Sequence, residues 1–246
     1  MPKTFFIDTS RCTACRGCQV ACKEWHQHKA VPTKQTGTHQ NPPTFTPFNF
    51  KIVRFSEHKI DGRVVWLFFP DQCRHCINPP CKDAADAYVP GAIIQDETTG
   101  AVLYTDLTKK LTIDQAQEVH DVCPYNIPVR DQDSGMLTKC DWCIDRQQAG
   151  MLPACVKTCC TGTMNFGERA DMLAQARKTL AKVKESHPKA QLLDEDYLGV
   201  IYLVTEPRNL YYEYAERRVP EKAPQGPMSR QAFLAMLARP VTRMRG

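Results

Sequence analysis

Cys12, Cys15, Cys18 and Cys22 form a C-x2-C-x2-C-x3-C run near the start of this chain. Three thiolates on one tight loop can hold three corners of a [4Fe–4S] cube. The fourth cysteine of such a run reaches a different cube. A second run follows at Cys73, Cys76 and Cys81, and a lone Cys123 stands before Pro124. The last run is Cys140, Cys143, Cys155, Cys159 and Cys160. The thirteen cysteines are thus concentrated in short-spaced groups.

Exchange of fourth cysteines between paired runs assigns the sulfurs. Cys12, Cys15 and Cys18 take Cys159, which makes cube A. Cys140, Cys143 and Cys155 take Cys22, which makes cube B. Cys73, Cys76 and Cys81 take Cys123, which makes cube C. A fourth cube would need ligands at Ala85, Ile113, Ala116 and Val119, all apolar here. Independent decay would leave a mixture of kept and lost ligands. One site losing all four while three sites keep all four points to a former cube site turned into hydrophobic core. Cys160 is left over and is expected as a buried free thiol rather than a labile redox thiol.

Two other chemistries compete for the cysteines. A disulfide framework does not explain cysteines two residues apart in successive pairs. Zinc suits Cys140-x2-Cys143 and Cys155-x3-Cys159 taken alone, which would make the chain a zinc-stabilised interaction module. It does not suit the whole set. Arg74 and His75 lie between ligands, where they either raise a cube's potential or point to solvent. Lys23 and Lys139 are candidates for the same tuning. Trp25 and Trp142 are expected to shield cubes from water. His26 and His28 are expected to diverge, so no metal is assigned to them. No catalytic triad, phosphate loop or paired carboxylates stand out, and no catalytic residue is assigned.

The elements that position these groups follow from pattern. Lys3–Ile7, Phe48–Phe55, Arg63–Phe69 and Leu198–Val204 read as strands, with Asp61-Gly62 at a turn. Ala92–Gln95 and Ala101–Thr105 read as a hairpin. Residues 27–46 read as a long ordered loop or a partner contact. Thr112–Asp121 and Glu168–His187 read as helices, the second with Met172, Ala176, Leu180 and Val183 on its packed stripe. Ser229–Ala238 reads as a short terminal helix.

Net charge is +5, too weak to argue for nucleic acid, and 18 prolines imply many loops. From Arg217 to Gly246 there are seven basic residues and one acidic residue, which suggests an arm for a partner surface or a solvated end. No apolar run nears the ~18 residues of a membrane span. The first residues lack a signal-peptide core. The chain is expected in the cytoplasm, or exported already folded by a partner.

The run Cys12–Cys22 with Lys23-Glu-Trp25, together with "CRHCINPPC", "CPYNIP" and "CDWCIDRQQAGMLPACVKTC" followed by "TGTMNFG", resembles the four-cluster iron–sulfur subunits of molybdenum and tungsten oxidoreductases. "VWLFFPDQC" and the "TGTMNFG" ending are most similar to the small subunit of formate dehydrogenase, in its soluble periplasmic tungsten or molybdenum type. The resemblance covers roughly Lys3–Gly167. It implies an α+β fold of two ferredoxin-like modules related by pseudo-twofold symmetry. Residues 1–47 and 132–170 would form the first, and 48–131 the second, with its lost site. Residues 171–246 would add a helix, a strand and a basic arm. It further implies a large catalytic partner whose pyranopterin-bound tungsten or molybdenum oxidises formate, in a periplasmic heterodimer. This chain would then be an electron-transfer subunit and not an enzyme by itself, with a soluble multihaem cytochrome as acceptor. The same role in another molybdopterin oxidoreductase or a hydrogenase is the alternative within this class.

Overall fold

The computed structural model describes residues 2–216. The basic arm and the Ser229–Ala238 helix lie outside them. Strand β1 (Lys3–Asp8) leads into the first cysteine loop and helix α1 (Gly17–Trp25). A long irregular stretch then reaches the hairpin β2 (Ile52–Ile60) and β3 (Arg63–Asp71). Next come α2 (Pro80–Asp86), the hairpin β4 (Ile93–Gln95) and β5 (Val102–Tyr104), and α3 (Ile113–Asp121). The short pair β6 (Val129–Arg130) and β7 (Leu137–Thr138) precedes α4 (Ile144–Gln148) and α5 (Ala154–Lys157). The chain continues through β8 (Met164–Glu168), α6 (Arg169–Lys184), β9 (Gln191–Leu193) and β10 (Val200–Val204). The fold is α+β, as expected.

The main sheet has the order β8-β1-β10-β9. The apolar runs of β1 and β10 pair in parallel at its centre, Phe5 beside Val200 and Ile7 beside Tyr202. Strands buried on both faces need such continuous apolar runs. Alternation sends Phe6, Ile201 and Leu203 to one face, where Met172, Ala176, Leu180 and Val183 of α6 pack on them. Phe5, Ile7, Val200, Tyr202 and Val204 point the other way, into a core shared with Ala14, Cys18, Trp142 and Cys155. The sheet therefore has one face for α6 and one face for the cysteines.

The β2–β3 hairpin turns at Asp61 and Gly62, both with positive φ, so that Ile60 pairs with Arg63. Two left-handed residues suit a tight hairpin whose strands twist. The first strand starts later than the expected Phe48, because Thr46 and Asn49 close a local turn through Asn49 N–H to the Thr46 carbonyl at 3.1 Å. The inner ends of the hairpin are buried at Ile52, Val53, Leu67 and Phe69, while Val64 and Trp66 are exposed further out. Helix α3 begins at Thr112, which shares a reciprocal capping box with Gln115. Among the described residues no helix is long and apolar enough to cross a membrane.

Candidate metal centres

Three C-x2-C loops share one backbone device. The residue just before the second cysteine is left-handed in each: Ala14 at φ 52°, His75 at φ 45° and Trp142 at φ 61°. Left-handed backbone is costly for residues with a Cβ. Three repeats of it at equivalent positions mark a shape imposed by what the sulfurs must surround.

None of the thirteen cysteines is in a disulfide. Twelve of them gather in three groups. Burial raises the Cys12 thiol first, and neighbouring Cys159 and Cys15 add to it. Cys18 is pushed up to about 12 by burial, with Cys155, Cys12 and Cys159 reinforcing it. Cys22 rises through burial and then through Cys155 and Cys143, and Cys140 through burial and then Cys22, Asp141, Cys155 and Cys73. Burial, followed by Cys73, Cys123 and Cys81, raises Cys76. Neutral thiols are strongly favoured in such crowded interiors, so a bound cation must drive off their protons. Residues 12, 15, 18 and 159 lie near one another, as do 22, 140, 143 and 155, and 73, 76, 81 and 123. The middle group touches both others, through Cys18 and Cys155 on one side and Cys140 and Cys73 on the other. Cys140, like Cys76 and Cys123, also packs against the apolar cluster that holds Cys73.

Cys123 and Cys159 are held by similar turns. Asn126 N–H donates to the Cys123 carbonyl at 3.2 Å and Gly162 N–H to the Cys159 carbonyl at 3.3 Å. Asn126 and Gly162 are both left-handed, at φ 54° and 68°. At Gly162 a Cβ would also meet the Arg11 guanidinium at 3.2 Å, so glycine serves both needs. Backbone N–H groups of Tyr125 and Ile127 face the Cys123 sulfur. Burial would raise the Cys159 thiol. Backbone N–H groups of Met164, Thr163 and Thr161 and the Thr161 hydroxyl outweigh it and hold the thiol below its ordinary value. Cys160 is exposed, not buried as expected, because the turn that sends Cys159 inward leaves its neighbour on the outer side.

A small cavity is lined by Cys73, Cys76, Cys81 and Cys123 together, with Tyr104 and Lys139. Buried polar atoms without a good protein partner collect nearby: the Tyr104 hydroxyl, Arg74 Nε, His75 Nε2 and Trp142 Nε1. The Tyr104 hydroxyl lies against the Cys81 sulfur. Four thiols around one small pocket, with the Tyr104 hydroxyl against one of them, suit an iron–sulfur group.

Beside this cavity the expected fourth site is apolar. Ala85, Ala116 and Val119 are buried in a core with Ala92, Ile93, Val102, Leu111 and Leu137, and Cys81 packs against it. Ile113 departs from expectation. It is 71% exposed, because the first residue of α3 after its cap faces outward.

Arg74 and His75 do not reach solvent. Arg74 donates to Asp71 at 2.7 Å, and Arg54 bonds the same carboxylate at 2.9 Å. The Arg74 guanidinium also sits over the Phe69, Tyr125 and Tyr202 rings. His75 accepts the Val102 N–H at Nδ1 (2.9 Å) and stacks on Trp142 at 4.3 Å. Burial, then Lys139, keeps its ring neutral. Lys139 is buried, whereas Lys23 donates at the surface to the Lys29 and Phe48 carbonyls. Trp142 is fully buried, and Trp25 is 39% exposed with Arg146 over its ring. The His26 and His28 rings stack at 5.2 Å instead of diverging, because left-handed Gln27 folds the chain back as α1 ends. His26 lies with Asp141 and Cys143 in a group whose ligand atoms are within 4.8 Å of one another.

A family model described as a 4Fe-4S dicluster domain matches residues 64–169. The chain is 59% identical over 216 residues to formate dehydrogenase 2 subunit beta (cytochrome c-553) of Nitratidesulfovibrio vulgaris, covering 87% of this chain and 99% of that relative. It is 53% identical over 215 residues to formate dehydrogenase subunit beta of Megalodesulfovibrio gigas, with coverage of 87% and 99%. The chain belongs to the iron–sulfur subunits of formate dehydrogenase. The nitrate-inducible formate dehydrogenase iron–sulfur subunit of Escherichia coli is a more distant member, 37% identical over 178 residues, which are 72% of this chain and 58% of that relative. The role that goes with this family is electron transfer within an oxidoreductase complex, as the cysteine spacing implies.

One residue that spacing alone does not reveal stands among the sulfurs. Lys51, just before β2, is fully enclosed next to Cys18, Cys155 and Cys140. A single lysine at a strand start carries no motif, so only the assembled fold exposes it.

Proposed function

We propose that this formate dehydrogenase subunit carries three [4Fe–4S] clusters and conducts electrons from a molybdopterin-type catalytic subunit that oxidises formate to carbon dioxide. Cube A is held by Cys12, Cys15, Cys18 and Cys159. Cube B is held by Cys22, Cys140, Cys143 and Cys155, and cube C by Cys73, Cys76, Cys81 and Cys123. When bound, such clusters supply one-electron chemistry over roughly −700 to +450 mV. The chain's own residues provide the sulfurs, exclude water through Trp142, Phe5 and Tyr202, and offer N–H groups to Cys123 and Cys159.

The convergence of three four-cysteine groups from distant loops supports this reading most strongly. The contacts of the middle group support the order A, B, C, with the lost site beyond C. The partner metal is tungsten or molybdenum, held as a bis-pyranopterin outside this chain. The acceptor is a soluble cytochrome, proposed as multihaem; a cytochrome is the class that the Nitratidesulfovibrio relative's name carries. The complex is a periplasmic heterodimer, with this subunit exported folded beside its catalytic partner. Purifying the complex, assaying it with formate and measuring iron tests the reading. About twelve iron per chain and formate-dependent bleaching are expected. Stoichiometric zinc, or no response to formate, would overturn it. Protease protection of the complex in spheroplasts would overturn the periplasmic location.

A further inference from the structure

Buried charges in proteins are paired or they are expensive. Arg54 and Arg74 obey this rule by sharing Asp71. Lys51 does not. It is 2% exposed, and its ammonium donates only to the Gln72 side-chain oxygen at 2.7 Å and the Pro70 carbonyl at 3.3 Å. Among the described residues no carboxylate forms an ion pair with it. Two neutral acceptors do not repay the removal of an ammonium from water. Apart from the Tyr202 hydroxyl, its remaining neighbours of opposite potential charge are sulfurs. Cys18 and Cys12 belong to cube A, and Cys155, Cys140 and Cys22 to cube B. The lysine is anchored at the inner end of the hairpin, beside Cys18 and Cys155, which are buried in one core.

We propose that Lys51 is a fixed positive charge shared by cubes A and B, which raises the reduction potentials of both and eases the passage of an electron between them. This rests on the three-cluster reading above. Reduction adds a negative charge to a cube, and a cation held in a poorly screened interior favours the reduced form. Burial alone would disfavour the ammonium. The neighbouring sulfurs of cubes A and B, anionic when they hold a cluster, offset that cost. Near cube C, Lys139 is bonded to the Cys140 carbonyl at 2.8 Å and to the Val102 carbonyl.

Potentiometric titration followed by electron paramagnetic resonance, on the complete complex, tests this for Lys51→Met, Lys51→Gln and Lys51→Arg. The signal missing from a Cys123→Ala complex identifies cube C. The neutral variants should shift the reduction equilibria of A and B at least tenfold toward the oxidised form, about 59 mV for one electron. Cube C should move less, and Lys51→Arg should stay near the native values. Unchanged potentials, or equal shifts of all three cubes, would overturn the proposal. If the neutral variants lose iron while Lys51→Arg keeps it, the charge is needed to hold the cubes, in support. Equal iron loss in all three variants would make Lys51 a packing residue and overturn it. Iron content in the native complex separates these outcomes from failure of the three-cluster reading itself.

Discussion

At the scale of single residues, backbone geometry favours Cys159 over Cys160 as the proposed ligand. Cys159 accepts several N–H groups within a turn like that of Cys123, while Cys160 is exposed. Cys159→Ala should therefore remove about four of about twelve irons per chain. Cys160→Ala should leave the iron unchanged, as measured by colorimetric iron assay. The spacing of the cysteines was legible because cube corners demand closely spaced sulfurs. Two aspects were not. Whether Cys160 is buried depends on the left-handed Gly162 turn. The place of Lys51 depends on packing between residues far apart in sequence.

At the scale of elements, α3 separates a core role from a surface role within one helix. Val119 is fully buried and Ile113 is 71% exposed. Val119→Ala should cost about 2 kcal/mol of stability through lost apolar burial and a residual cavity. Ile113→Ala should stay within about 0.5 kcal/mol. Chemical denaturation checks both, and it reads how far the expected fourth site behaves as core. The end of α1 carries a pH effect. Burial, then His26 and Lys23, lowers the His28 pKa from 6.5 to about 4. The unfolded chain thus binds more protons between pH 6.5 and 4, and stability falls as pH drops through that window. His28→Gln should flatten that slope in thermal melts. The effect is modest because the ring is only half-buried and solvent screens it. The elements themselves were legible wherever pattern and caps agreed, as at α3 and α6. The start of β2 was not, because the Thr46–Asn49 turn interrupts an alternating run. The stacked histidines were missed because a left-handed Gln27 breaks the helical geometry on which divergence was argued.

At the scale of the whole molecule, the central sheet joins the two ends of the described chain: β10 lies between β1 and β9 and brings Tyr202 against the buried arginine and lysine. That parallel pairing of distant strands carries no local signal, so sequence pattern located both strands without revealing their adjacency. The proposed cysteine exchange is also non-local, and only the fourth-cysteine rule, which links runs by chemistry, makes it expected from sequence. Cys123→Ala tests that exchange. It should remove only the cube of Cys73, Cys76 and Cys81, leaving about eight irons. Anomalous diffraction at the iron edge, on crystals of the complete complex, tests the central claim most directly. Three iron centres are expected in this subunit, in the order A, B, C, with none among Ala85, Ala116 and Val119. A fourth centre there, or fewer than three in all, would contradict the claim.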